Sequence, residues 1–170
     1  SLVGSEMCIR DRICGLDNEY GVNAPFYNME DGSVMTVFRY KEQHQSYPGR
    51  VHGGMITAML DEMGLRSLWA KELSEETFGV TISLDTKYRK PVPYETELIG
   101  RGVVVKNTSH FIITDSYIMD KEGEILANGR IKYIKMDTQK IQEGVEVHEE
   151  MPYLVEDGRT EIEGPFFDNL

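Results

Sequence analysis

The sequence predicts an α+β fold, a curved antiparallel sheet wrapped around one central helix. Three observations carry that expectation. One segment, His52–Leu73, spaces its apolar residues as a helix does. Two segments before it and four after it have the composition of strands. The links between the later strands are short and turn-like, as an antiparallel meander requires.

In chain order, residues 21–40 read as a hairpin. Ala24, Phe26 and Asn28-Met29 lead into Asp31-Gly32, a strong turn signal. The returning strand carries Val34, Thr36, Phe38 and Tyr40 on one face. Residues 41–51 are polar, and Pro48-Gly49 forces an irregular loop. In the helix, Met55, Ile56, Met59, Leu60, Met63 and Leu68 recur mostly at three- and four-residue steps. Gly53, Gly54, Ala58 and Gly64 are interspersed. Glycine weakens a helix, so close packing against a neighbour is the expected compensation. Phe78–Tyr88 alternates Val80, Ile82 and Leu84, and Pro91 and Pro93 end it. Glu97–Lys106 and His110–Met119 flank the turn Asn107-Thr108-Ser109. Asp120-Lys121-Glu122-Gly123 then turns the chain into the last strand, Ile125–Met136.

All of these elements fall within residues 13–136, which we assign to one domain. The chain has 170 residues and is 40% hydrophobic, enough for a sizeable core. Ser1–Arg12 has no apolar periodicity and resembles translated sequencing-adapter read-through, so it is set outside the fold as non-native, together with Cys8. Residues 137–170 form an acidic extension with ten acids and two bases, expected to pack in part over the surface. That stretch holds −8 of the net −11, which leaves the body nearly balanced. A balanced body argues against nucleic acid, which needs a broad basic surface. No apolar run approaches the ~18 residues of a membrane helix, and no secretory layout is evident. Cys8 and Cys14 are too few for a disulfide framework, which points to free thiols and a cytoplasmic setting. No ligand set for a metal stands near them, and no cofactor is expected.

The segment Arg50-Val51-His52-Gly53-Gly54-Met55-Ile56, followed by Leu60-Asp61-Glu62, resembles the signature of phenylacetyl-CoA-type thioesterases of the hotdog superfamily. Cys14-Gly15-Leu16-Asp17-Asn18, with Gly21, is similar to the Cys-Gly-x-x-Asn-Pro-x-Gly opening of one branch, with Glu19 in place of the proline. Val80-Thr81 through Tyr88-Arg89-Lys90-Pro91-Val92-Pro93 resembles the strand after the helix. The resemblance runs from about Ile13 to Met136. It implies hydrolysis of an acyl-CoA to a carboxylic acid and free CoA. It implies that the Gly53 N–H polarises the thioester carbonyl and that Asp61 is nucleophile or general base. His52 then shapes the helix start, Gly54 lies beside the substrate, and Thr81 places a hydroxyl near the attacking water. Some members carry an asparagine where this chain has Ser46.

The chemistry accounts for these residue types. Thioester hydrolysis builds negative charge on the carbonyl oxygen, which the free N–H groups and positive end of a helix N-terminus suit. Glycine admits the substrate to the backbone, and a carboxylate either activates water or attacks the carbonyl. Spacing adds a constraint. Eight residues at ~1.5 Å each set Gly53 and Asp61 ~12 Å apart on one helix, too far to share one reacting group. The two therefore come from different subunits, which predicts a homodimer, or a dimer of dimers, with sites at its interface.

Each residue also has a plainer reading. Taken singly, Gly53-Gly54 is a tight helix start, His52 a cap, Asp61 a solvated side chain and Thr81 an ordinary strand residue. Glu62 is structural or solvated, or else a reserve carboxylate. Lys87, Arg89 and Lys90 either hold CoA phosphates or form a charged strand end. His44, His110 and His148 are surface or structural residues, and Cys14 is a buried or loop thiol. The methionines of the helix pack the core. At the level of the whole chain, the rival is a non-catalytic acyl-CoA-binding or sensing protein of the same fold. A hydratase would need a histidine–acid arrangement that the sequence lacks.

Overall fold

The computed structural model describes residues 4–6, 10–15, 17–71, 77–137, 153–155 and 161–162. The strands are β1 (Gly4–Glu6), β2 (Phe26–Asn28), β3 (Val34–Phe38), β4 (Thr77–Tyr88), β5 (Leu98–Asn107), β6 (Phe111–Met119), β7 (Ile125–Asp137) and β8 (Tyr153–Val155). The helix α1 runs Gly53–Lys71, and a 3-10 turn covers Glu42–His44. All strands pair antiparallel in one sheet of order β4-β7-β6-β5-β3-β2-β1-β8. The six strands and the helix expected from sequence are all present, with ends within two residues for the helix and the four strands after it.

Two short strands lie outside the expected frame. Gly4–Glu6 pairs with β2 and with Tyr153–Val155, so part of the segment set aside as non-native continues the sheet. Neither strand had a sequence signal, because three residues show no period. Of the acidic extension, β8 sits at the sheet edge, and Ile162 packs against an outer-face cluster of Met35, Ile99 and Met119. Apart from Asp137 and Glu161, the rest of the extension, His148 included, lies outside the described residues.

The helix fills the concave face of the sheet. Ile56, Met59, Leu60 and Met63 are buried against Phe26, Val34, Phe38, Leu98 and Ile118. Glycines permit the approach at two points. A Cβ on Gly102 of β5 would stand 2.4 Å from the Met63 carbonyl oxygen. A Cβ on Gly64 would stand 2.3 Å from the Tyr133 hydroxyl and 2.4 Å from that of Thr114. This is the close packing expected from the glycine-rich helix.

One charged residue is buried in the same layer, and sequence reasoning passed over it. Arg66 is 2% exposed. Its Nε donates to Glu62 at 2.8 Å, a guanidinium N–H donates to the Cys14 thiol at 2.8 Å, and its plane lies over Phe26 and Trp69. Burial raises the Glu62 pKa, and the Arg66 charge opposes that rise. Glu62 is thus structural, and Cys14 is a buried thiol. Breaking a buried pair strands the other charge, so Arg66→Met is expected to cost about 3–5 kcal/mol. Glu62→Leu added to it should recover most of that loss in urea denaturation.

Candidate active site

The site begins where the loop meets the helix. The Val51 N–H donates to the Val92 carbonyl, and the His52 N–H to that of His44. These bonds fix the chain to the Pro91-Val92-Pro93 turn and the 3-10 turn. His44 is itself buried at 4% exposure. Its Nδ1 accepts the Lys41 N–H, so Nε2 carries the proton that bonds the Tyr20 carbonyl. Burial lowers its pKa, in keeping with a neutral structural ring.

His52 caps the helix. Its Nδ1 accepts the Gly54 N–H at 2.9 Å, and its carbonyl accepts from Met55 and Ile56. Those two bonds polarise the His52–Gly53 peptide, the unit that bears the Gly53 N–H. Among the described residues nothing accepts that N–H. It is one of the free donors of the helix N-terminus.

Asp61 lies two turns further along the same helix. Thr81 donates to both of its carboxylate oxygens, at 2.9 and 3.1 Å. Burial pushes its pKa up, and hydrogen bonding from Thr81 opposes that. The Tyr133 hydroxyl donates to the Asp61 carbonyl at 2.7 Å and anchors this turn of the helix to β7. Burial holds the Tyr133 pKa far above its ordinary value, so the hydroxyl stays a donor.

Thr81 reaches Asp61 because of a β-bulge. Strict alternation would put Thr81 on the face opposite Leu84. The register against β7 shifts between Thr81 and Ser83. Thr81 then pairs with Tyr133, and Leu84 with Ile131, both inward-facing residues. Thr81, Leu84, Thr86 and Tyr88 therefore share the helix side. The expected alternation of Val80, Ile82 and Leu84 fails for the same reason: Val80 and Ile82 are exposed, and Leu84 packs inward.

The structure brings Asp61 and Thr81 together, and His52, Gly53 and Gly54 together. The two groups stand on one continuous helix, as the spacing required. It does not bring the three cations to either. Lys87 alternates with the inward Thr86 and Tyr88 and so projects from the outer face. Arg89 is exposed and donates to Asn128 of β7 at 2.6 Å. Lys90 is paired with Glu124. Ser46 is exposed in the loop, its N–H donating to the Arg50 carbonyl. Tyr88 is a site neighbour that sequence reasoning assigned no role. Its hydroxyl donates to the Gly53 carbonyl at 3.1 Å and lies 2.6 Å from that of Thr57. Its place at the end of the strand motif was the signal available.

A sheet around one helix, with a carboxylate on the helix and open donors at its start, defines a hotdog-fold protein. Solved structures share the fold. One described as a thioesterase superfamily protein matches with a TM-score of 0.66 at 24% identity, over 72% of this chain and 62% of that one. A phenylacetic acid degradation-related protein from Ralstonia eutropha matches with a TM-score of 0.60 at 17% identity, over 66% and 85%. The family model of the thioesterase superfamily matches residues 48–127, from the loop before α1 into β7. The chain is similar to that superfamily over those residues, and it shares the hotdog fold of the solved structures. Among curated relatives, human acyl-coenzyme A thioesterase 13 is 23% identical over 58% of this chain and 70% of its own length. Mouse acyl-coenzyme A thioesterase THEM4 is 26% identical over 74% of this chain and 52% of its own length. Among the described residues no helix is long and apolar enough to cross a membrane.

Proposed function

We propose that this protein hydrolyses an acyl-CoA thioester at a site shared between two copies of the chain. The observation that carries the reading is a raised-pKa carboxylate, Asp61, held by Thr81 beside a sheet edge that is unpaired among the described residues. The related acyl-coenzyme A thioesterases supply the substrate class. A Streptococcus mutans protein of the same fold was solved with acetyl CoA bound, at 18% identity and a TM-score of 0.59 over 68% of this chain and 90% of that one.

Chemically, Asp61 accepts a proton from water as its oxygen adds to the thioester carbon. The negative charge that forms on the carbonyl oxygen falls to the Gly53 N–H of the other copy. Collapse expels the CoA sulfur, which takes up a proton. A base with a raised pKa suits the first step near neutral pH.

The edge supports the shared site. β4 is a terminal strand of twelve residues that exposes Val80 and Ile82. A long apolar edge is a template for pairing. If two β4 edges pair antiparallel about a two-fold centred on Asp85, the bulge at Ile82 sets Thr81 of one copy opposite Tyr88 of the other. Thr81 marks Asp61 and Tyr88 marks Gly53, so this register brings the two halves together.

Mixing two inactive variants tests the arrangement. Gly53→Pro removes the N–H at a helix position that tolerates proline, and Asp61→Asn removes the base. Each should be inactive alone. Subunit exchange between them should restore activity toward about a quarter of the wild-type sites if mixing is random. No recovery in exchanged, dimeric protein would show that both groups act within one chain.

A further inference from the structure

We infer that Tyr88 is a positioning residue, one that holds the Gly53–Gly54 peptide so that the neighbouring Gly53 N–H keeps its aim. The inference rests on the proposed thioester hydrolysis and adds a residue to it. Two glycines in succession give the helix start a soft backbone. One peptide plane in it is nevertheless gripped at both ends. Its N–H is taken by His52 Nδ1 at 2.9 Å, and its carbonyl by the Tyr88 hydroxyl at 3.1 Å. The Tyr88 ring also lies flush on Gly53, since a Cβ there would meet ring atoms at 3.4–3.5 Å.

The hydroxyl has one proton to give. With that proton on the Gly53 carbonyl, the 2.6 Å contact to Thr57 must run from the Thr57 hydroxyl to the Tyr88 oxygen. The chain Thr57 to Tyr88 to Gly53 ties the first turn of α1 to the end of β4. Tyr88 is 55% exposed, so its ring is not a core element whose loss would empty a cavity. Removing the hydroxyl alone leaves the packing in place and leaves the Gly53 carbonyl with only its helical bond from the Thr57 N–H. Held at that end by one bond instead of two, the plane can tilt further, and the Gly53 N–H on its other side loses part of its fixed direction.

Tyr88→Phe tests this in the full-length protein with acetyl-, palmitoyl- and phenylacetyl-CoA. On whichever of these the wild type hydrolyses, kcat should fall about tenfold, part of the loss from deleting one oxyanion donor, while KM stays within about twofold. Thr57→Val should give a smaller loss, and the double variant no more than Tyr88→Phe alone. Independently of turnover, amide exchange at Gly54, whose N–H is bonded to His52, should speed up about tenfold in Tyr88→Phe. Unchanged exchange overturns the inference, as does unchanged kcat or a loss confined to KM. Asp61→Asn assayed in parallel separates the two claims. If it keeps wild-type turnover, the proposed site fails. If it is inactive while Tyr88→Phe retains full kcat and exchange protection, only the role of Tyr88 fails.

Discussion

Asp61→Asn should abolish thioester hydrolysis while leaving the protein folded and more heat-stable than the wild type. The loss in kcat is expected at about 10²–10⁴-fold, the range for removing a general base. The gain in stability follows from the direction of the pKa shift. Burial raises the Asp61 pKa in the fold, so the folded state prefers the neutral carboxyl. Stability is then full below the unfolded carboxylate pKa and declines as pH rises through the raised value. At neutral pH the wild type carries the cost of a half-buried charge, and the asparagine variant does not. The variant's higher Tm should therefore shrink as pH falls into the carboxylate range. The same shift sets the pH profile of the wild type. Its kcat/KM should drop on acidification through a value above the ordinary range for aspartate. A variant with wild-type turnover would remove Asp61 from the chemistry, and one with a lowered Tm at neutral pH would contradict the burial argument.

Gly102→Ala should be among the most damaging single-methyl additions in the fold. The added Cβ would lie 2.4 Å from the Met63 carbonyl oxygen and 2.8 Å from its carbonyl carbon. Both atoms belong to the helix backbone, which cannot rotate aside as a side chain could. The helix must lift from the sheet along the seam where Met63 and Leu60 are buried. An overpacked core costs about 1–3 kcal/mol, and a backbone neighbour places this change at or above the upper end. Gly129→Ala is the control. Its Cβ would meet Ile131, Leu60 and Asp85 at 3.5–3.6 Å, ordinary contact distances. Urea midpoints should show a large drop for Gly102→Ala and little change for Gly129→Ala. Equal effects would mean that the seam is not what limits the approach of helix and sheet.

Much of the fold was legible in the chain because its signals are local. Apolar spacing identified α1, and Asp31-Gly32 placed the first hairpin: there the Ser33 N–H bonds the Asp31 carboxylate and the Gly32 N–H bonds the Met29 carbonyl. β1 and β8 were not legible, since three residues carry no period and their partners are remote in sequence. The bulge between Thr81 and Ser83 was equally hidden. It depends on pairing with β7, fifty residues away, yet it decides which face Thr81 takes. The three cations looked equivalent in sequence, but alternation and two polar partners turn them away from the helix side.

The helix, the order of the main strands and the distance between Gly53 and Asp61 all follow from residue spacing, a property of the chain alone. Tertiary packing set what each group faces. It paired Arg66 with Glu62, turned Thr81 onto Asp61 through a bulge, and set the Tyr88 hydroxyl on the Gly53 carbonyl. Those outcomes arise where segments remote in sequence meet, and a side chain's partner there is fixed by register and packing.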